Sequence, residues 1–145
     1  MNLQLLRNAT QILTVNNKTI LIDPMFAPKG SYPPFLNTGN EVENPTVDLP
    51  VSNKELQQII NKVDAVLLTH LHTDHLDIMA QQLLPKSITT FCQPVNAEAV
   101  RKLGFTNVVR LKMNWYGMIW ISIVQVAGTV QEKLVKEWAL FQAMY

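Results

Sequence analysis

Cysteine occurs once in this chain of 145 residues and histidine three times, and the 12 basic residues are nearly matched by 11 acidic ones. One cysteine excludes an intramolecular disulfide. Cys92 sits in the apolar run "ITTFC" with no histidine close by in sequence, so it reads as a buried small hydrophobe and not as a nucleophile. The balanced charge offers no basic footprint for nucleic acid and no polybasic patch for a membrane surface. The longest apolar stretch, "YGMIWISIVQVAG", is too short to span a bilayer and contains polar residues, and the N-terminus "MNLQLLRNAT" has no run suited to a signal peptide. The expectation is a soluble cytoplasmic protein. At 16.4 kDa it fits one domain able to bury a core without disulfides.

The hydrophobic pattern predicts strands followed by alternating strands and helices. "LQLLRN", "ATQILTV" and "KTILIDP" read as strands, with Asn16 and Asn17 as a turn and Pro24 closing the third. Residues 25–50 hold five prolines plus Gly30 and Gly39, which predicts a long irregular loop near a site. "SNKELQQIINK" reads as a helix with Ser52 at its N-cap, Glu55 at the capping-box spacing, and Leu56, Ile59 and Ile60 on one face. "DAVLLTH" is a continuous apolar run, the mark of a strand covered on both faces. "HLDIMAQQLL" predicts a helix ended by Pro85, "ITTFC" a strand, "NAEAVRKLG" a helix stopped by Gly104, and "TNVVRL" another strand. That alternation is α/β punctuation, with no internal repeat and no second domain.

All three histidines fall within "LLTHLHTDHLD", at His70, His72 and His75, just beyond the buried strand. His70 and His72 stand two apart, so in an extended or loosely turned backbone both imidazoles point the same way. Asp74 and His75 follow where the chain turns into a helix. Imidazole nitrogen and carboxylate oxygen are ligands that Zn²⁺ and similar ions accept, and a strand end holds them more rigidly than a loop alone. The competing reading is a solvated turn with Asp74 as an N-cap and His75 as surface; the joint spacing of four donors favours the metal site.

The stretch resembles a known signature. His70, His72, Asp74 and His75 form H-x-H-x-D-H after a hydrophobic strand, which is similar to the metallo-β-lactamase superfamily of hydrolases. "KTILIDP" with Asp23 resembles an early strand of that family, and "LLRNATQILTVNNKTILIDPMFAPKG" with "NPTVDLP" resembles the branch near the ascorbate-6-phosphate lactonases. The resemblance covers residues 1 to 129. It implies an αββα sandwich of the α/β (α+β) class, of which residues 1–145 would be a single partial domain, the N-terminal half, with an antiparallel-rich sheet and covering helices. It also implies that His70 and His72 bind a first metal, that Asp74 and His75 bind a second with Asp74 as catalytic residue, and that Asp23 supports them without ligating. Zinc, as one or two ions, is the implied cofactor, and the mixed donors also suit manganese or iron. For Asp23 the other reading is a strand-end cap before Pro24. Asp48 and Asp77 receive no role from the resemblance, and Asp77 is expected on solvated helix surface.

Relatives in this branch complete both metal sites with ligands from a second half, including further histidines. After "WISIVQVAGT" the chain instead continues "VQEKLVKEWALFQAMY" over residues 130–145, an amphipathic helix with Leu134, Val135, Trp138 and Phe141 at helical spacing. The peptide Gly-Thr-Gly-Glu-Ile-Gly-Lys-Gly-Met-Gly-Pro-Val-Ser-Gly-Tyr-Val has a choice of synonymous codons that, read one base later, encodes residues 130–145. The expectation is therefore a truncation by frameshift near Thr129, checked by sequencing the locus. Three functions follow: a hydrolase whose metal-bound hydroxide attacks an ester, lactone or phosphoester of a small-molecule substrate; an inactive relative that binds metal weakly; and an interaction module using its exposed sheet. Homo-oligomers through that sheet or the C-terminal helix are a further expectation.

Overall fold

The computed structural model describes residues 1–34 and 41–111. The predicted strand at 120–129 and helix at 130–145 lie outside them. The first three strands, β1 (Asn2–Arg7), β2 (Thr10–Val15) and β3 (Lys18–Ile22), form an antiparallel meander. Asn16 and Asn17 join β2 to β3 with φ of 48° and 59°. Two consecutive left-handed residues make the tight hairpin turn whose twist matches the strands, and asparagine tolerates that conformation better than most side chains.

Three parallel strands then extend the sheet, β4 (Ala65–Leu68), β5 (Thr89–Cys92) and β6 (Val108–Arg110), giving the order β1-β2-β3-β4-β5-β6. Parallel neighbours need crossovers, and α1 (Asn53–Ile60), α2 (Ile78–Leu83) and α3 (Ala97–Lys102) supply them. Because the strands follow in sequence order, crossovers of one hand place every helix on the same face. Leu21, Val66, Leu68 and Cys92 of the sheet pack there against Leu56, Ile60, Ala80, Leu84, Ala97 and Val100. Leu13, Ile20, Ile22, Ala65, Leu67 and Phe91 form a separate cluster on the opposite face. All four residues of β4 are buried, as its uninterrupted apolar sequence predicts.

The capping box of α1 is complete: Ser52 Oγ accepts from the Glu55 amide, and the Glu55 carboxylate accepts from the Ser52 amide at 2.8 Å. Burying Leu56 and Ile60 from this helix contributes about 1.5–3 kcal/mol each. Gly104 follows α3 with φ of 92°, a left-handed stop that suits glycine. Cys92 is fully buried, and burial pushes its thiol pKa up, so it behaves as a core hydrophobe.

The loop expected over residues 25–50 is irregular in its described parts, apart from one bridge between Tyr32 and Asn44. Its start is buried and held from two sides. Arg7, at the end of β1, donates to Met25 O and Ala27 O at 2.9 and 2.8 Å and to Val47 O at 3.0 Å. Asp77 holds the other side, and here the sequence expectation is corrected. Asp77 is 0 % exposed and not on solvated surface. It is the N-cap of α2, accepting from Ala80 N, and its second oxygen accepts from Phe26 N and Ala27 N at 2.9 and 2.6 Å. The helix starts later than the histidine-rich turn, so Asp77 and not Asp74 meets the open amides of its first turn, and the loop folds over that cap. Burial raises the pKa of the Asp77 carboxyl, against the opposing amide donors and the charge of Arg7.

Candidate metal centre

The candidate site lies beyond the carboxyl ends of β3, β4 and β5, where Asp23, Thr69–His75 and Gln93 follow their strands directly. Asp23 is 2 % exposed and has φ of 45°, a left-handed conformation for a residue with a side chain. Its backbone N–H still continues the sheet, donating to Leu67 O at 3.0 Å. The side chain reaches across to the next strand end: Oδ1 accepts from Thr69 N at 2.8 Å and Oδ2 from Thr69 Oγ1 at 2.7 Å. Gln93 Nε2 donates to Thr69 O, tying the third strand end to the same residue.

After Thr69 the chain makes a compact turn in which His75 N and Leu76 N both donate to His72 O, at 2.9 and 3.0 Å. The turn gathers the three imidazoles. The ring of His70 lies 4.5 Å from His72, edge to face, and 3.7 Å from His75. His75 Nδ1 is 2.9 Å from Asp23 Oδ2, and His75 Nε2 is 3.4 Å from Asp74 Oδ2. All five residues singled out in the sequence therefore lie in one neighbourhood, whereas Asp48 is occupied elsewhere, accepting from Lys29 N at 2.9 Å. Thr69 and Gln93 were missed; neither residue type is a ligand, and only their places beside the strand ends could have marked them.

The donor chemistry fits a cation. A carboxylate only accepts hydrogen bonds, so the contact with Asp23 puts the proton of a neutral His75 on Nδ1 and leaves a lone pair on Nε2. That lone pair faces Asp74 Oδ2, another acceptor, at 3.4 Å. Asp74 Oδ1 is itself buried with no hydrogen-bond partner among the described residues. Two facing acceptors and an unpartnered buried oxygen are what a positive ion would satisfy, and a buried carboxylate oxygen is otherwise expected to be paired. Among the described residues no three His, Cys, Asp or Glu side chains are gathered as a ligand set for a single ion. The three imidazoles instead crowd on one another, His70 at 4.5 Å from His72 and 3.7 Å from His75, with Asp74 beside His75.

Residues 18–133 match the model of the beta-lactamase superfamily domain, and the chain belongs to that family. It is 46% identical over 110 residues to the UPF0173 protein YddR of Bacillus subtilis (strain 168), a match that spans 74% of this chain and 42% of that protein. Among solved structures, it is similar to the isothiocyanate hydrolase from Delia radicum gut bacteria, with 42% identity and a TM-score of 0.70 over 77% of this chain and 42% of the other. A possible metal-dependent hydrolase from Veillonella parvula DSM 2008 aligns at 39% identity and a TM-score of 0.71 over 79% of this chain and 44% of its own. The chain thus spans less than half the length of these relatives. The sheet, six-stranded among the described residues and with helices on one face, is consistent with half of the family's fold. Among the described residues no helix is long and apolar enough to cross a membrane.

Proposed function

We propose that this chain carries the N-terminal half of the metal site of a hydrolase, with zinc as the ion. His70 and His72 would hold one ion, and Asp74 and His75 a second. The observation that carries this reading is the buried, unpartnered Asp74 Oδ1 beside a His75 Nε2 that Asp23 leaves as an acceptor. When bound, zinc would supply a Lewis acid able to lower the pKa of a water to about 7. The residues of the chain do the remaining work. Asp74 would orient the attacking water toward the substrate and accept its proton. Asp23 holds His75 in the right tautomer and orientation, as carboxylates behind ligating histidines do.

The substrate class is a small molecule with an electrophilic centre open to water: an ester, a lactone or a phosphoester. The name of the isothiocyanate hydrolase, 42% identical, supports adding the carbon of an isothiocyanate to that list. A second reading, a relative that binds metal weakly and turns nothing over, is favoured by the lack of a three-ligand set among the described residues. Zinc sites ordinarily rely on three or four protein ligands.

Zinc competition with a calibrated chelator, run on the 145-residue chain and on His70→Ala/His72→Ala, separates the two. The expected result is tight binding that the double variant loses, followed by turnover of esters, lactones or isothiocyanates in a substrate screen. Binding no stronger than the variant's would overturn the metal-site proposal. Weak binding that the double variant still abolishes, with no turnover, would leave the second reading.

A further inference from the structure

Thr69 stands among three groups that compete for its hydroxyl. Its Oγ1 lies 2.7 Å from Asp23 Oδ2, 3.1 Å from His70 Nδ1 and 3.2 Å from His75 Nδ1. A hydroxyl has one proton to give and two lone pairs. The carboxylate can only accept, so at the shortest of the three distances the proton of Thr69 goes to Asp23. Oγ1 then faces His70 as an acceptor, and the contact at 3.1 Å is a hydrogen bond only if His70 Nδ1 carries the proton.

We infer that the Thr69 hydroxyl, oriented by Asp23, fixes the proton of His70 on Nδ1 and so leaves Nε2 bare for an ion. Thr69 is a positioning residue, and the inference rests on the reading of His70 as a ligand. One buried carboxylate thereby sets two imidazoles, His75 by direct contact and His70 through the hydroxyl. Backbone geometry holds the relay in place: Thr69 N donates to Asp23 Oδ1 at 2.8 Å, and Thr69 O accepts from Gln93 Nε2. With the backbone so anchored, a hydroxyl turned away from Asp23 would leave Oδ2 with His75 Nδ1 as its one remaining side-chain donor among the described residues.

The test reads the tautomers directly, by ¹⁵N NMR of the histidine rings in the full chain freed of metal with a chelator. Wild type is expected to show His70 and His75 with the proton on Nδ1. In Thr69→Val, His70 is expected to move toward the Nε2-protonated form while His75 stays, because Asp23 still accepts from it. Thr69→Ser restores the hydroxyl and is expected to restore His70. A merely structural loss would disturb both rings or neither. Zinc competition gives a second readout, with a drop of about 10- to 100-fold for Thr69→Val and little change for Thr69→Ser. Thr69→Ala serves as the hydroxyl-free variant if valine is not accommodated. A His70 tautomer that does not change when the hydroxyl is removed overturns the inference, whatever the zinc affinity. A wild-type chain that shows the expected tautomers and no zinc binding would instead overturn the ligand reading and leave the role of Thr69 standing.

Discussion

Asp77 shows how much one side chain can hold when its surroundings are dry. Its two oxygens satisfy the amides of Ala80, Phe26 and Ala27. Asp77→Ala removes a helix cap, a loss of about 1 kcal/mol. It also strands two buried loop amides, at roughly 1–3 kcal/mol each. The expected outcome is a loss on the order of 3 kcal/mol or more, read from urea unfolding at neutral pH; a change within about 0.5 kcal/mol, usual for surface sites, would show that the cap is dispensable. At this scale the sequence was only partly legible. His70, His72, Asp74 and His75 were visible because their side chains are ligand types at telling spacing, and Asp23 only through the family resemblance of "KTILIDP". Asp77 looked like any polar residue at the start of a helix, since its burial depends on the Met25–Ala27 backbone folding over it from far along the chain.

At the scale of elements, local rules sufficed. The hairpin at Asn16 and Asn17, the box at Ser52 and Glu55, and the stop at Gly104 were readable because each is decided by neighbours in sequence. What was not readable was the pairing of β3 with β4 in parallel, which joins segments separated by the long proline-rich loop. The box on α1 has a measurable pH signature. Hydrogen bonds from the Ser52 side chain and backbone hold the Glu55 carboxyl below its ordinary 4.5. A carboxyl lowered on folding stabilises fully above its unfolded value, and that contribution is lost as pH falls through the lower folded value. The difference in urea midpoint between wild type and Glu55→Ala is therefore expected to be largest near neutral pH and to shrink as the solution is taken below 4.5. A difference that grows on acidification would contradict the box as its source.

For the molecule as a whole, β1 ends the sheet among the described residues and presents Leu3 and Leu5 outward, at 56% and 64% exposure. An edge strand with an apolar row is prone to pair with other copies. Leu5→Lys is expected to reduce concentration-dependent association in sedimentation velocity without lowering the melting temperature; unchanged association would place any contact elsewhere. The same sheet carries the candidate metal centre in a way that ties the proposed chemistry to alignment. Thr69 and His70 directly follow β4, whose partners on β3 run Ile20 with Ala65, Leu21 with Val66 and Ile22 with Leu67. In a strand, a slip of one residue turns every side chain to the other side. Asp23 would then meet the wrong neighbour, and neither imidazole would receive its proton on the nitrogen that leaves the other bare. Uptake of an ion, as proposed for this chain, would thus be a gauge of strand alignment, reporting whether two strands met in step before it reports anything about a reaction.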